Sequence, residues 1–290
     1  MNAAARQTET NAIQHPPSEV MQLGRAAVAA LYDEVALYPK PGLVSFVDAG
    51  SHRDMDAQTF MRSLFALRRY FGRVACLGWQ GAAFSELERC GIDAEADMLR
   101  ATGGVNTHRG AIFTLGLLCA AAGSVLRSGE RPDPQRLRAA LRNRWGSALA
   151  ARARRTPVLP GGLAARQHGL RGASEEAALA FPILFETAWP ALQSGLAAGL
   201  ADRPARLNAL MHTMAVLDDS NLAHRGGLAG LRYAQQAAGA FLCKGGVAHP
   251  EGMVRMLALH RAFVARQLSP GGAADMLAAA CWLQRVGALR

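Results

Sequence analysis

Apolar residues recur along this chain at intervals of three and four, the period of a helix, and not of two. Val20, Leu23, Ala27, Ala30, Leu31, Val35 and Leu37 form the first such stripe. The spacing predicts a helix that begins near Ser18, behind Pro16-Pro17, and stops at Pro39, because the residue before a proline is pushed out of helical space. A second helix is predicted over about 57–76, with Asp54 or Asp56 as its cap. Residues 79–102 read as shorter helical pieces, and an apolar helix then runs to about Arg127. Pro132-Asp133-Pro134 opens another, whose Leu137, Leu141, Trp145 and Leu149 lie one turn apart. Thr156 to Gly172, rich in proline and glycine, is the clearest internal loop, placed either as a lid or as a boundary. Helical patterning resumes at Ser174 and predicts segments near 174–200 (interrupted by Pro182 and Pro190), 203–217, 227–241, 249–268 and 272–286. Strand-type alternation survives nowhere. The pattern predicts an all-α fold, a single multi-helix domain over 18–290 with ligand-binding loops at helix N-termini, behind a disordered tail over 1–17.

Composition narrows this further. Half of the 290 residues are apolar and only 6% aromatic, a balance that favours helices. The apolar run Ala111 to Leu126 is short and glycine-interrupted for a membrane span, and a polar N-terminus carries no signal core, so a cytoplasmic protein is expected. Five scattered cysteines with no Cys-x-x-Cys pair argue against a disulfide framework and against structural zinc. The net charge of +10 is carried by arginine; Lys40 and Lys244 are the only lysines. Eight arginines and one acid between Arg131 and Arg155 make a basic face that is ordinarily solvated but could guide phosphates or dock an acidic partner.

The chemistry concentrates in two similar stretches. Gly103-Gly104-Val105-Asn106-Thr107-His108-Arg109-Gly110 is a glycine-rich turn that runs straight into the apolar helix, with Asn106 or Thr107 placed to cap it. The free amides and positive dipole end of that helix suit an anion, phosphate above all. Asp218-Asp219-Ser220-Asn221-Leu222-Ala223-His224-Arg225-Gly226-Gly227 repeats the device, and its two adjacent carboxylates are candidate Mg²⁺ ligands. A third polar set, Lys40 followed by His52, Arg53, Asp54 and Asp56, lies between the first two helices. No G-x-G, Walker A, G-x-S-x-G or H-E-x-x-H pattern occurs, so a phosphate ligand would be held by arginines, helix ends and magnesium.

Glu34, Pro39-Lys40-Pro41-Gly42-Leu43-Val44, His52-Arg53-Asp54-Met55, the block from Gly104 to Gly123, the 218–227 stretch and Leu268-Ser269-Pro270-Gly271-Gly272 together resemble the triphosphoribosyl-dephospho-CoA synthase family. The motifs occur in the same order from about residue 25 to 283, with His-Arg in this chain where that family commonly has His-Lys. The resemblance implies an all-α, magnesium-assisted transferase that joins ATP to 3′-dephospho-CoA and releases adenine. Its product is the precursor of the prosthetic group of malonate decarboxylase or citrate lyase acyl carrier proteins, and the 218–225 wording is closer to the malonate branch.

In such a reaction the triphosphate is a handle, and a hydroxyl attacks the ribose at an oxocarbenium-like centre. Glu34 and Asp54 are the candidates for the base, with the choice open between them. His108 would protonate or hydrogen-bond adenine, since an ordinary histidine titrates at about 6.5. Lys40, Arg53, Arg109 and Arg225 would neutralise phosphates, with His52, Asn106, Thr107 and Asn221 as further substrate contacts and Asp218 and Asp219 on Mg²⁺. Partners implied are the downstream phosphoribosyl-dephospho-CoA transferase or the acyl carrier protein, and a homodimer is compatible with the chain. Two other readings compete: a Mg²⁺-dependent all-α nucleotide hydrolase, and a basic helical nucleic-acid-binding protein, the latter disfavoured because Trp145, the one aromatic in the basic segment, lies on its apolar stripe.

Overall fold

Proline and glycine set most of the helix ends. The structure, a computed structural model, describes residues 16–289. Helix α1 (Ser18–Ala36) starts directly after Pro17 and stops where Leu37 turns to extended backbone ahead of a cis Tyr38-Pro39 bond. Twelve further α-helices follow, with one π-helical turn at Leu184–Ala188 and one 3₁₀ turn at Gly246–Ala248; no strand occurs among the described residues. The all-α, single-domain expectation is borne out. Of the expected tail, residues 1–15 lie outside the described residues.

The domain is built round α5 (Arg109–Arg127), the helix that follows the His108 loop. Its alanines and glycines let neighbours approach to backbone contact. A Cβ on Gly78 of α3 (Tyr70–Gln80) would stand 2.0 Å from the Ala120 carbonyl oxygen, and one on Gly123 would stand 2.1 Å from that of Ala75. Tyr70 passes its hydroxyl across Gly116 and donates to the Ile112 carbonyl at 2.9 Å. In the same way α1 meets α3 at Gly24 and Gly72, with 2.3 Å left for a Cβ. The helix is buried along nearly its whole length and packs also on α4 (Phe84–Thr102), α6 (Pro134–Ala153) and α13 (Gly271–Gly287). By length and composition α5 is the one described helix that could cross a membrane, yet 78% of the relevant window is buried inside the protein.

Several elements differ from expectation. The helix predicted over 57–76 is two helices, α2 (Ala57–Leu67) and α3, which turn at Arg68-Arg69. Both arginines keep near-helical dihedrals, so the apolar pattern runs on through the bend. The pieces expected over 79–102 are the single helix α4, started by Glu86, whose carboxylate accepts from the Ala83 N–H at 2.9 Å. Within the 156–172 stretch stands α7 (Pro160–His168), with Pro160 in its first turn and Gly169 left-handed at its end. That helix packs on α11 (Ser220–Cys243), so the stretch is an ordered part of the domain. Asp219 starts α11 seven residues earlier than predicted; Gly227, at φ 60° and ψ −167°, breaks its direction where the predicted helix was to begin. Of the five free cysteines Cys90, Cys119 and Cys281 are buried, Cys76 is half-buried and Cys243 is exposed.

Candidate active site

Three helix N-termini, those of α5, α11 and α13, come together beneath the end of α1. Local chemistry sets the first. Gly103 and Gly104 both adopt positive φ (69° and 89°) with open space where a Cβ would stand, so it is backbone conformation and not crowding that demands glycine there. The Thr102 hydroxyl donates to the Val105 carbonyl at 2.6 Å, closing the turn. Asn106 Oδ1 then accepts from the Arg109 N–H at 3.2 Å, so Asn106, of the two expected caps, is the one that meets the helix.

His108 is buried at the foot of this loop. Its Nδ1 lies 2.6 Å from Ser63 Oγ of α2, and its ring meets Phe60 edge-on with centroids 4.9 Å apart. With the Ser63 hydroxyl donating to Nδ1, the neutral ring carries its own proton on Nε2. His108 Nε2 and the neighbouring Thr107 Oγ1 are buried with no partner at all. Burial, reinforced by the charge of Lys40, depresses the His108 pKa to about 3. The ring is therefore neutral near pH 7 and offers an N–H donor; the expectation of an imidazole titrating near neutrality is corrected by its burial.

Lys40 and Glu34 form the layer next to it. Lys40 is fully buried, and its Nζ donates to Glu34 Oε1 and to the Glu34 carbonyl, each at 2.5 Å. Burial pulls the ammonium below its usual range against the opposing pull of Glu34. Neither residue stands where the sequence put it, one at phosphates and the other as a free base: each is occupied by the other. His260, to which the sequence assigned nothing, fixes the Lys40 loop from behind, with Nδ1 2.5 Å from the Lys40 carbonyl and Nε2 3.1 Å from Asp48 Oδ2.

Two aspartates complete the interior. Asp219 caps α11 through Oδ1, which accepts from Asn221 N at 2.9 Å and more weakly from Leu222 N, while Oδ2 accepts from Ala273 N in the first turn of α13 at 3.1 Å. Burial raises its pKa, and these N–H donors hold the rise back. Asp275, in the second turn of α13, lies against Gly110: a Cβ there would stand 1.9 Å from Asp275 Oδ2. Burial first, then the charges of Glu34 and Asp219, lift its carboxyl well above the usual carboxylate range, opposed by the Ala111 N–H. Asp275 and Ser63 were not picked out from the sequence. The glycine at 110, inside a helix where alanine would be favoured, is the one local signal that something needs that space.

A polar rim surrounds this interior. Arg225 donates to His52 Nδ1 at 3.0 Å and to the carbonyls of Ser51 and Gln267 at 3.2 and 3.3 Å. Arginine only donates, so His52 accepts at Nδ1 and gives its Nε2–H to Ser269 Oγ at 2.9 Å. Burial and the Arg225 charge lower the His52 pKa to about 4, against the pull of Asp54, whose carboxylate lies 3.6 Å from Nδ1. Arg53 and Asp54 are exposed, Asp56 caps α2 through Thr59 N at 2.8 Å, and Asn221 lies exposed beside Gly271.

Two expected participants are placed otherwise. Arg109 turns away from His108 into a separate cleft between α4, α5 and α6, where its Nε meets Glu95 at 2.6 Å. Asp218 and Asp219 do not make a chelating pair: Asp218 Oδ2 takes the Arg171 N–H at 3.3 Å, while Asp219 is committed to two helix ends. Among the described residues no group of three His, Cys, Asp or Glu side chains is arranged to hold a metal ion. The pair does not fit Mg²⁺ in the way its sequence suggested.

The family model described as ATP:dephospho-CoA triphosphoribosyl transferase matches residues 20–290. A probable 2-(5''-triphosphoribosyl)-3'-dephosphocoenzyme-A synthase of Vibrio cholerae is 39% identical over 271 residues, which cover 90% of this chain and 86% of the relative. The 2-(5''-triphosphoribosyl)-3'-dephosphocoenzyme-A synthases of Pectobacterium atrosepticum and Klebsiella pneumoniae are each 38% identical, over 273 and 286 residues. These alignments cover 89% and 94% of this chain and 87% and 97% of the relatives. No solved structure matches.

Proposed function

We propose a function from one premise: the chain belongs to the ATP:dephospho-CoA triphosphoribosyl transferase family. It is a triphosphoribosyl-dephospho-CoA synthase, an enzyme whose substrates are ATP and 3′-dephospho-CoA. The reading is that the 2′-hydroxyl of dephospho-CoA attacks C1 of the ATP ribose as adenine departs. The observation that carries it is the unpartnered, buried Nε2 of His108, at the start of the helix whose Gly110 lies against the Asp275 carboxyl. Carboxyl oxygens at that junction favour a group that becomes positive, which is what the ribose does as its N-glycosidic bond breaks.

His108 Nε2–H would donate a hydrogen bond to a ring nitrogen of the leaving adenine, stabilising the charge that arrives there without giving up its proton. Thr107 Oγ1 lies unpartnered beside it and would meet the same substrate. The triphosphate belongs on the rim, where Arg53 and Arg225 are exposed and His52 and Asn221 are at hand. Lys40 acts through the interior, holding the Glu34 side chain and favouring a neutral His108 ring. Magnesium would enter as the counter-ion that a triphosphate carries.

The finer setting is part of the same reading. The 218–225 stretch favours the malonate decarboxylase branch over citrate lyase, with the downstream transferase or the acyl carrier protein as partner, in the cytoplasm where both substrates are made. Purified protein with ATP, Mg²⁺ and 3′-dephospho-CoA should release adenine only when the acceptor is present, with the coupled product seen by mass. Adenine formed equally without dephospho-CoA would mean a nucleotide hydrolase instead.

A further inference from the structure

Four carboxylates stand at the junction of α1, α5, α11 and α13 or on its rim, and three of them are already employed. Glu34 is held by Lys40. Asp219 is 2% exposed and accepts from three backbone N–H groups on two helices. Asp54 stands on the rim, its side chain 63% exposed and facing His52. Asp275 differs from all three. It is inside the helix junction yet retains partial exposure, and of the backbone donors around it the Ala111 N–H is the one that bears on its charge. One of its oxygens fills the space that Gly110 leaves empty, two residues from His108.

From this geometry we propose that Asp275 is the catalytic base of the ribosyl transfer, the group that takes the proton of the attacking 2′-hydroxyl; the proposal rests on the function read above. The new bond joins the acceptor oxygen to C1 of the ribose. The C1–N9 bond breaks with its electron pair going to adenine. The hydroxyl proton passes to an Asp275 oxygen and is afterwards returned to the departing adenine, so no proton is gained or lost over the turnover. A carboxylate beside C1 also faces the positive charge that develops there. The groups that face Asp275 are Glu34 from α1, Asp219 from the start of α11 and the N-terminal amides of α5. Burial and the two carboxylates make it readier to take a proton than an ordinary aspartate, with the Ala111 N–H opposing them.

The test is steady-state adenine release by the full-length enzyme and by Asp275→Asn and Asp275→Ala. The expected result is a fall in kcat of about a hundredfold or more, with KM for both substrates within about threefold of wild type. Added formate should restore turnover to Asp275→Ala, which a merely structural carboxylate would not allow. A kcat for Asp275→Asn within about threefold of wild type overturns the proposal. So does an inactive Asp275→Ala that formate fails to rescue, including the case in which both variants melt at lower temperature. Failure of wild-type enzyme to couple adenine release to dephospho-CoA would instead overturn the reaction itself, and that is read before any variant is made.

Discussion

Asp219 Oδ2 accepts the Ala273 N–H at 3.1 Å while its other oxygen starts the helix that Asp219 itself precedes. One side chain thus joins the N-termini of α11 and α13. Asp219→Ala leaves both helix ends short of an acceptor in a buried place, and each lost cap costs about 1–2 kcal/mol. The expected outcome is a loss of about 2–4 kcal/mol in denaturant unfolding, with the Mg²⁺ concentration for half-maximal activity unchanged. A large shift in that concentration at undiminished stability would make Asp219 a metal ligand after all.

Lys40 and Glu34 are a buried pair whose members have no other charge partner in hydrogen-bond reach. Lys40→Met strands the Glu34 carboxylate and should cost about 3–5 kcal/mol, the usual penalty for breaking such a pair from one side. Combining Lys40→Met with Glu34→Gln should recover much of that stability while leaving the enzyme inactive. Chemical denaturation of the two variants checks this, and equal instability of the single and double variants would refute it.

The fold should weaken in acid through its histidines. His108 and His52 have folded pKa values depressed to about 3 and about 4, below the value of about 6.5 in an unfolded chain. Between those limits the unfolded state binds more protons, so their contribution is complete above about pH 6.5 and is lost as pH falls toward the folded values. Each histidine adds a slope of up to about 1.4 kcal/mol per pH unit in that window. Replacing His52 and His108 by Asn should flatten unfolding free energy between pH 6.5 and 4, measured in denaturant at a series of pH values.

Gly110→Ala sets a methyl against the end of the Asp275 side chain, where 1.9 Å is available. Rotation of that side chain can relieve the clash, so the fold should survive with a change in Tm of only a few degrees, while the carboxylate is displaced. Turnover should fall by about tenfold or more, the scale on which small misplacements of a reacting group act. Retained activity at wild-type level would show that the position of Asp275 is immaterial.

Much of the fold was legible because helix ends are written locally. Pro17, Pro39 and Pro134 mark the ends of α1 and the start of α6 in the structure as they do in the sequence. The bend at Arg68-Arg69 was not legible, since its residues keep near-helical dihedrals and only the packing of α3 on α5 turns the chain there. In α7 the boundary signals were present, Pro160 and Gly169, but stood among so many other glycines and prolines that the stretch read as a loop. The His108 loop announced itself by its crowded polar residues. What it could not announce was direction: His108 and Arg109 are consecutive, and a helix start sends one to Ser63 and the other to Glu95. Asp275 escaped notice for a related reason, since a lone carboxylate in an apolar helix resembles any other until Gly110 is set against it in space.

The glycine contacts between α3 and α5 make the walls of the site mechanically unequal. Where Gly78 and Gly123 bring backbone against backbone, no layer of side chains remains to absorb a displacement. His108 rides on that fused pair and stays in register with the core. The opposite wall is jointed: Gly227 separates the first two turns of α11, with Asn221 and Arg225, from the rest of that helix. Any change in the direction of α11 is therefore concentrated at Gly227, while the start of α5 is carried on a helix pair with little slack.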